Sequence, residues 1–242
     1  MLKIGEKAYK QYCDIIYEPG CSFESESKSP LIYCDSRDLY RFILDRSAIK
    51  GKYRLLTHGS DHAITKESFL KMDCPEMEVW YGINVLHIDP KIRAIPIGIC
   101  DRKSIMCASY ERLDQASKGD KNGKVYVNFR IGTNRRERSK FYEMDLDPEV
   151  FTVHDPSRYD GIDEYVQNLS EHSYCLCPPG RGIDTFRFWE ALYVGTMPIV
   201  FNDYYDRHFP LVPHKTVKDI KEVPAVEMEQ APESQFGVQY YV

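Results

Sequence analysis

The chain has 242 residues, 43% hydrophobic and 29% charged, which suits one large or two small α/β cores and excludes a disordered chain. It holds no apolar run of the roughly 20 residues that a membrane span requires. A net charge of -5 gives no general attraction to nucleic acid, so any anion site must be local. The opening MLKIGEKAYKQYCDIIYEPG has lysines but neither an apolar core nor a small-residue cleavage site, so no secretory signal is expected. Among the eight cysteines there is no CxxC pair, and Cys175 and Cys177, two apart on a strand, share one face. Reduced thiols in a cytoplasmic setting are therefore expected, not a metal or disulfide framework. In that setting the sequon Asn168-Leu169-Ser170 goes unused.

In chain order, the first half shows short apolar runs at Leu31 to Cys34, Tyr53 to Thr57, Val79 to Trp80, Val85 to Ile88 and Ala94 to Ile97, with a helical patch from Arg37 to Ile43. The polar stretch from Ser109 to Lys124 reads as a linker and divides the chain into domains 1–118 and 119–242. Beyond it, strand Val125 to Phe129, helix Arg135 to Met144, strand Val150 to His154 and helix Ile162 to Ser170 alternate. Such alternation predicts right-handed βαβ units and a parallel sheet. Its ligand belongs at the carboxyl ends of the strands, where loops 130–134, 155–160 and 178–184 converge. The tail from Glu222 to Val242, rich in Glu, Pro and Gln, is expected to be only partly ordered.

Residues 174 to 200, YCLCPPGRGIDTFRFWEALYVGTMPIV, carry the strongest chemical signal. The run Tyr174 to Cys177 is too short for a helix and is stopped by Pro178 and Pro179, which lack an N–H. Gly180 and Gly182 then allow a tight turn into a helix from about Asp184 to Val194, and the free N–H groups of a helix start suit an anion. At about 100° per residue, Asp184, Arg187 and Glu190 share an arc of roughly 120° opposite Phe186, Trp189 and Tyr193, so the charged side is expected to face away from the core. Such a stripe is usually a solvated face. Here it begins at the glycine loop, and an arginine that can grip phosphate is followed by a glutamate that can accept from ribose hydroxyls, which favours a binding role.

The block PPGRGIDTFRFWEALYVGTMPIV resembles the C-terminal signature of exostosin-like glycosyltransferases, glycosyltransferase family 47 and its relatives. YVNFRIGTNRRER, LLTHGSDHAI, WYGINV and IPIGI resemble further segments of the same group. The resemblance is patchy before residue 50 and after 205. It implies a GT-B architecture, two Rossmann-like domains with parallel sheets facing a cleft, and inverting transfer of one sugar from a UDP-sugar to a glycan or glycoprotein hydroxyl without an essential metal. Xylose is the first choice of sugar, with glucuronate, galactose and N-acetylglucosamine open. By the same resemblance Asp184, Arg187 and Glu190 match D-x-x-R-x-x-E and become donor-site residues, while Phe186 stands where many relatives have His. Arg130, Arg138 and Arg181 are placed to reach the diphosphate, and Gly180, Gly182 and His154, at the carboxyl end of its strand, complete the donor set. Arg130, Arg135, Arg136, Arg138 and Lys140 cluster there; a nucleic-acid patch is disfavoured by sparse aromatics and the acidic balance of the chain.

An inverting transfer needs a base for the acceptor hydroxyl. His58-Gly59-Ser60-Asp61-His62 follows a strand, and Asp61 is the first candidate, His58 the second, although such residues often merely cap a turn. His58 and His62 have the spacing of a zinc helix, but Gly59 replaces the glutamate such sites require. Asp145-Leu146-Asp147 has the D-x-D form of a metal-binding glycosyltransferase motif, but it follows a helix and precedes Pro148, where that motif needs an apolar strand, so it reads as chance. No anchor being evident, a microbial or viral enzyme or a trimmed domain is expected. The competing readings are a catalytically inactive carbohydrate- or nucleotide-binding protein of the same fold and a phosphoryl-transfer enzyme, though the latter's G-x-x-x-x-G-K-[ST] loop is absent.

Overall fold

Ten strands, each parallel to its neighbours, make two five-stranded sheets in residues 4–101, 107–116, 120–155 and 161–225, which the computed structural model describes. The chain divides into two units after Ile97, and each is a Rossmann-like α/β unit as the alternating pattern predicts.

The first unit runs α1 (Glu6–Gln11), β1 (Ile15–Ile16), β2 (Leu31–Asp35), α2 (Leu39–Asp45), β3 (Tyr53–His58), α3 (Lys66–Met72), β4 (Met77–Gly82) and β5 (Ile92–Ala94). Helix α3 starts on a reciprocal cap, in which Thr65 accepts from the Ser68 N–H and Ser68 from the Thr65 N–H. The sheet order is β1-β2-β3-β4-β5. Right-handed crossovers through a sheet that never reverses order put every crossover helix on one face. Accordingly Phe42 of α2 and Phe69 and Met72 of α3 share one core cluster with Ile32, Leu55 and Trp80. A register shift between Tyr53 and Arg54 lets Met77 and Trp80, three residues apart, join the same cluster. Helix α1 covers the other face, where Glu6 accepts from the Tyr33 hydroxyl at 2.9 Å.

The second unit runs α4 (Tyr110–Asp114), β6 (Val125–Val127), α5 (Arg135–Glu143), β7 (Phe151–Val153), α6 (Ile162–Glu171), β8 (Tyr174–Leu176), α7 (Phe186–Tyr193), β9 (Met197–Val200), α8 (Tyr204–His208) and β10 (Lys215–Thr216). Its order is β10-β9-β8-β6-β7, so the winding reverses beside β6. Phe141 of α5 packs on the face carrying Val125 and Val127, while Tyr165 of α6 meets Tyr126 on the opposite face. Between β6 and β8 the chain leaves in opposite directions, which opens a crevice at their carboxyl ends.

Three expectations are corrected. The boundary expected at 118/119 lies after Ile97, because the supposed linker holds α4, whose Tyr110 and Leu113 are buried and whose Asp114 accepts from Tyr193 of α7. Val85 to Ile88 is no strand: only Val85 bridges, to Ile64, and Leu86 and Ile88 are exposed. Ala94 to Ile97 is displaced, the strand being Ile92–Ala94. The short strands β1 and β10 lie at sheet edges, where two-residue runs carry no periodic signal. The tail beyond residue 225 lies outside the described residues.

Candidate functional site

Strand β8 stops ahead of Pro178 and Pro179, and the loop that follows is tied down from α5. Asn134 caps α5 and also donates from its amide to the Gly180 carbonyl at 3.2 Å. The Arg138 guanidinium, nearly fully buried, donates to the carbonyls of Pro179 (2.9 Å), Pro178 (3.0 Å) and Arg130 (3.1 Å) and to the Thr133 hydroxyl (2.6 Å). It thus joins the two loops that flank the crevice, those after β6 and β8. Burial and the neighbouring Arg187 charge pull its pKa down to about 9, so it stays protonated at neutral pH. Expected to reach a diphosphate, Arg138 instead serves the loop backbone. Gly180 leaves room for it, since a Cβ there would lie 3.1 Å from Arg138 Nη2.

The charged arc of α7 does not face away from the core. Asp184 and Glu190 are both 2% exposed. Asp184 accepts from the Trp189 indole at 2.8 Å and the Tyr205 hydroxyl at 3.0 Å. Glu190 accepts from the Ala108 N–H and the Tyr165 hydroxyl, each at 2.7 Å, and burial raises its carboxyl above the usual range despite these bonds and nearby Arg187. The ribose contact expected of Glu190 would need an exposed carboxylate. The helix starts at Phe186, not at Asp184 as expected, so only Arg187 and Glu190 share a helical face; the Ala108 backbone and Tyr165 of α6 close over Glu190, and Trp189 and Tyr205 close over Asp184 ahead of the helix.

Arg187 differs from its two acidic neighbours. It is half-buried, its guanidinium 5.8 Å from the ring centre of Phe129 and 5.4 Å from that of Tyr165. Among the described residues it makes no hydrogen bond or ion pair, and its Nε is buried without an acceptor. Phe129 lies two residues beyond the end of β6, so this unanswered cation sits at the reversal of the sheet. A buried donor of this kind is costly unless a ligand supplies the acceptor.

The remaining candidates divide by unit. Arg130 and Arg181 are exposed on the two loops, and Gly182 is buried between them and α7. Half-buried His154 follows β7, its ring edge-on to Tyr126 at 5.2 Å. Loop residues 156–160, expected to converge here, lie outside the described residues. In the first unit His58 is 3% exposed; its Nδ1 accepts from the Gly59 N–H at 2.8 Å, so Nε2 carries the proton and donates to the Ile97 carbonyl at 3.1 Å. That leaves no free lone pair on the ring for a substrate proton. Asp61 is exposed, and its backbone carbonyl accepts from Asn84 at 3.4 Å. The Asp145–Asp147 segment lies between α5 and β7, where Asp147 caps the Glu149 N–H at 2.9 Å.

Phe129, Asn134, Tyr165 and Tyr205 were missed as site-forming residues. Tyr165 had a signal: Ile162, Tyr165, Val166 and Leu169 repeat at helical spacing and all are buried. No protein-family model matches the chain.

Proposed function

We propose that the protein is a GT-B glycosyltransferase that moves one sugar from a UDP-sugar to a glycan hydroxyl with inversion. The unanswered Arg187 guanidinium at the sheet reversal carries this reading. It is supported by the exposed Arg130 and Arg181 on the flanking loops and by the α7 start that the Arg138-braced loop delivers. In this proposal Arg187 pairs with the diphosphate and stabilises its charge as the bond from the anomeric carbon to the leaving oxygen breaks, so no essential metal is invoked. The acceptor oxygen attacks the anomeric carbon, and its proton passes to the Asp61 carboxylate. Xylose is the first sugar to test, followed by glucuronate, galactose and N-acetylglucosamine.

UDP release from these UDP-sugars, with and without glycan acceptors, tests the proposal; wild-type turnover in Asp61→Ala would remove Asp61 as the base. The locked ring of His58 favours a second reading, a sugar-nucleotide-binding protein without turnover. That reading expects UDP binding and no release with any donor. No helix among the described residues is long and apolar enough to cross a membrane.

A further inference from the structure

Arg187 and Glu190 lie one turn apart on the same face of α7, and Tyr165 of α6 touches both. The Tyr165 ring centre is 5.4 Å from the Arg187 guanidinium, while its hydroxyl donates to Glu190 Oε2 at 2.7 Å. The other carboxylate oxygen, Oε1, accepts from the Ala108 N–H at 2.7 Å. An N–H can only donate, whereas a hydroxyl can also accept, so Oε2 can gain a proton and keep its partner. Burial holds this carboxyl above the usual range, and nearby Arg187 pulls the other way. The ionised form of Glu190 is thus favoured by an arginine whose Nε is itself buried without an acceptor.

We propose that a diphosphate bound at Arg187 makes Glu190 take up one proton from solvent, so that donor affinity rises as pH falls. The inference rests on the reading of Arg187 as the diphosphate ligand. A bound anion neutralises the guanidinium and brings negative charge of its own beside the carboxylate, and both effects favour the protonated acid. The proton adds to Oε2, and no bond between heavy atoms changes. By linkage, the ionised carboxylate opposes the anion with the same free energy, and uptake is confined to the pH range between the titrations of Glu190 in the free and the loaded protein. Of the other groups around the pair, burial holds Tyr165 and Cys177 neutral, and Arg138, at about 9, stays charged below about pH 8. The Cys175 thiol also lies near Arg187, and His154 stands beyond Tyr126, whose ring centre is 6.2 Å from that of Tyr165.

Calorimetric titration of the full chain with UDP-xylose, without acceptor, in buffers of different ionisation enthalpy between about pH 5 and 8 counts the protons taken up on binding. UDP-xylose is the probe because it lacks the terminal phosphate of UDP, which itself titrates near about pH 6. The wild type should take up about half a proton at the maximum, and Glu190→Gln, which can still accept from Ala108 and bond to Tyr165, should take up none. At the upper end of the range the variant should bind about tenfold tighter than wild type, and the two affinities should converge as pH falls. Binding by the wild type without uptake would by itself overturn the inference. Uptake that persists in Glu190→Gln would also overturn it, since the proton would then belong to another group such as His154. So would weaker binding by the variant at every pH, which would return Glu190 to a direct ribose contact. A chain that binds neither UDP-xylose nor UDP would refute the donor reading itself, and the inference with it.

Discussion

Removing Arg138 should uncouple the two loops that shape the crevice. Arg138→Ala deletes four hydrogen bonds, three of them to the backbone carbonyls of Pro178, Pro179 and Arg130, the last of which also accepts from the Thr133 hydroxyl at 2.9 Å. A buried acceptor left without a donor costs about 1 to 3 kcal/mol. Water entering the vacated space and release of a buried, unpaired charge offset part of that, so we expect a net loss of about 3 kcal/mol. Lysine supplies one point donor where the guanidinium supplies a fork, so Arg138→Lys should recover only about 1 kcal/mol. The two tryptophans make the assay specific, because Trp80 belongs to the first unit and Trp189 to the second. In a Trp80→Phe background, Trp189 fluorescence followed through urea unfolding should show the midpoint falling by about 1.5 M for alanine, given a slope of about 2 kcal/mol per molar. Midpoints for both variants within about 0.2 M of the parent would refute the bracing role assigned to Arg138.

Arg187→Ala should weaken UDP binding by roughly 10- to 100-fold while leaving the urea midpoint unchanged or higher, because it removes no internal hydrogen bond; unchanged UDP affinity by calorimetry would remove Arg187 from the site. Burial holds the Glu190 carboxyl above its usual range, so the folded state keeps a proton that the unfolded chain has lost, and this contribution to stability disappears as pH rises through the raised value. Glu190→Gln should therefore gain stability relative to wild type between about pH 4.5 and 7, read from paired urea midpoints, and a pH-independent gap would contradict the burial argument. Gly59→Ala should destabilise the first unit by about 2 kcal/mol by Trp80 fluorescence, since Gly59 has φ +92° and a Cβ there would lie 2.6 Å from Asp35 Oδ2. Little change would mean that the β3 end tolerates the side chain.

Much of the second unit was legible because its elements are long enough to show period. Helix α5 was expected at Arg135 to Met144 and spans Arg135–Glu143, and α6 was expected at Ile162 to Ser170 and spans Ile162–Glu171. Proline and glycine marked the end of β8 and the loop beyond it, where the missing N–H and missing Cβ act locally. The first unit was harder to read: β1 is two residues long, and Val85 to Ile88 has the composition of a strand without a neighbour to pair with beyond one bridge.

The sequence by itself determined the parallel α/β class and that Arg187 and Glu190 share one face of a helix, with Asp184 just ahead of its start. Both follow from backbone periodicity and proline and glycine sterics, which depend on neighbours along the chain. Which of those three charges remains without a partner was decided only in three dimensions. Ala108 and Tyr165 satisfy Glu190, Trp189 and Tyr205 satisfy Asp184, and two rings flank Arg187 without supplying an acceptor. Ala108 and Tyr165 reach α7 from 82 and 25 residues away in sequence, and partners so distant leave no trace in local spacing.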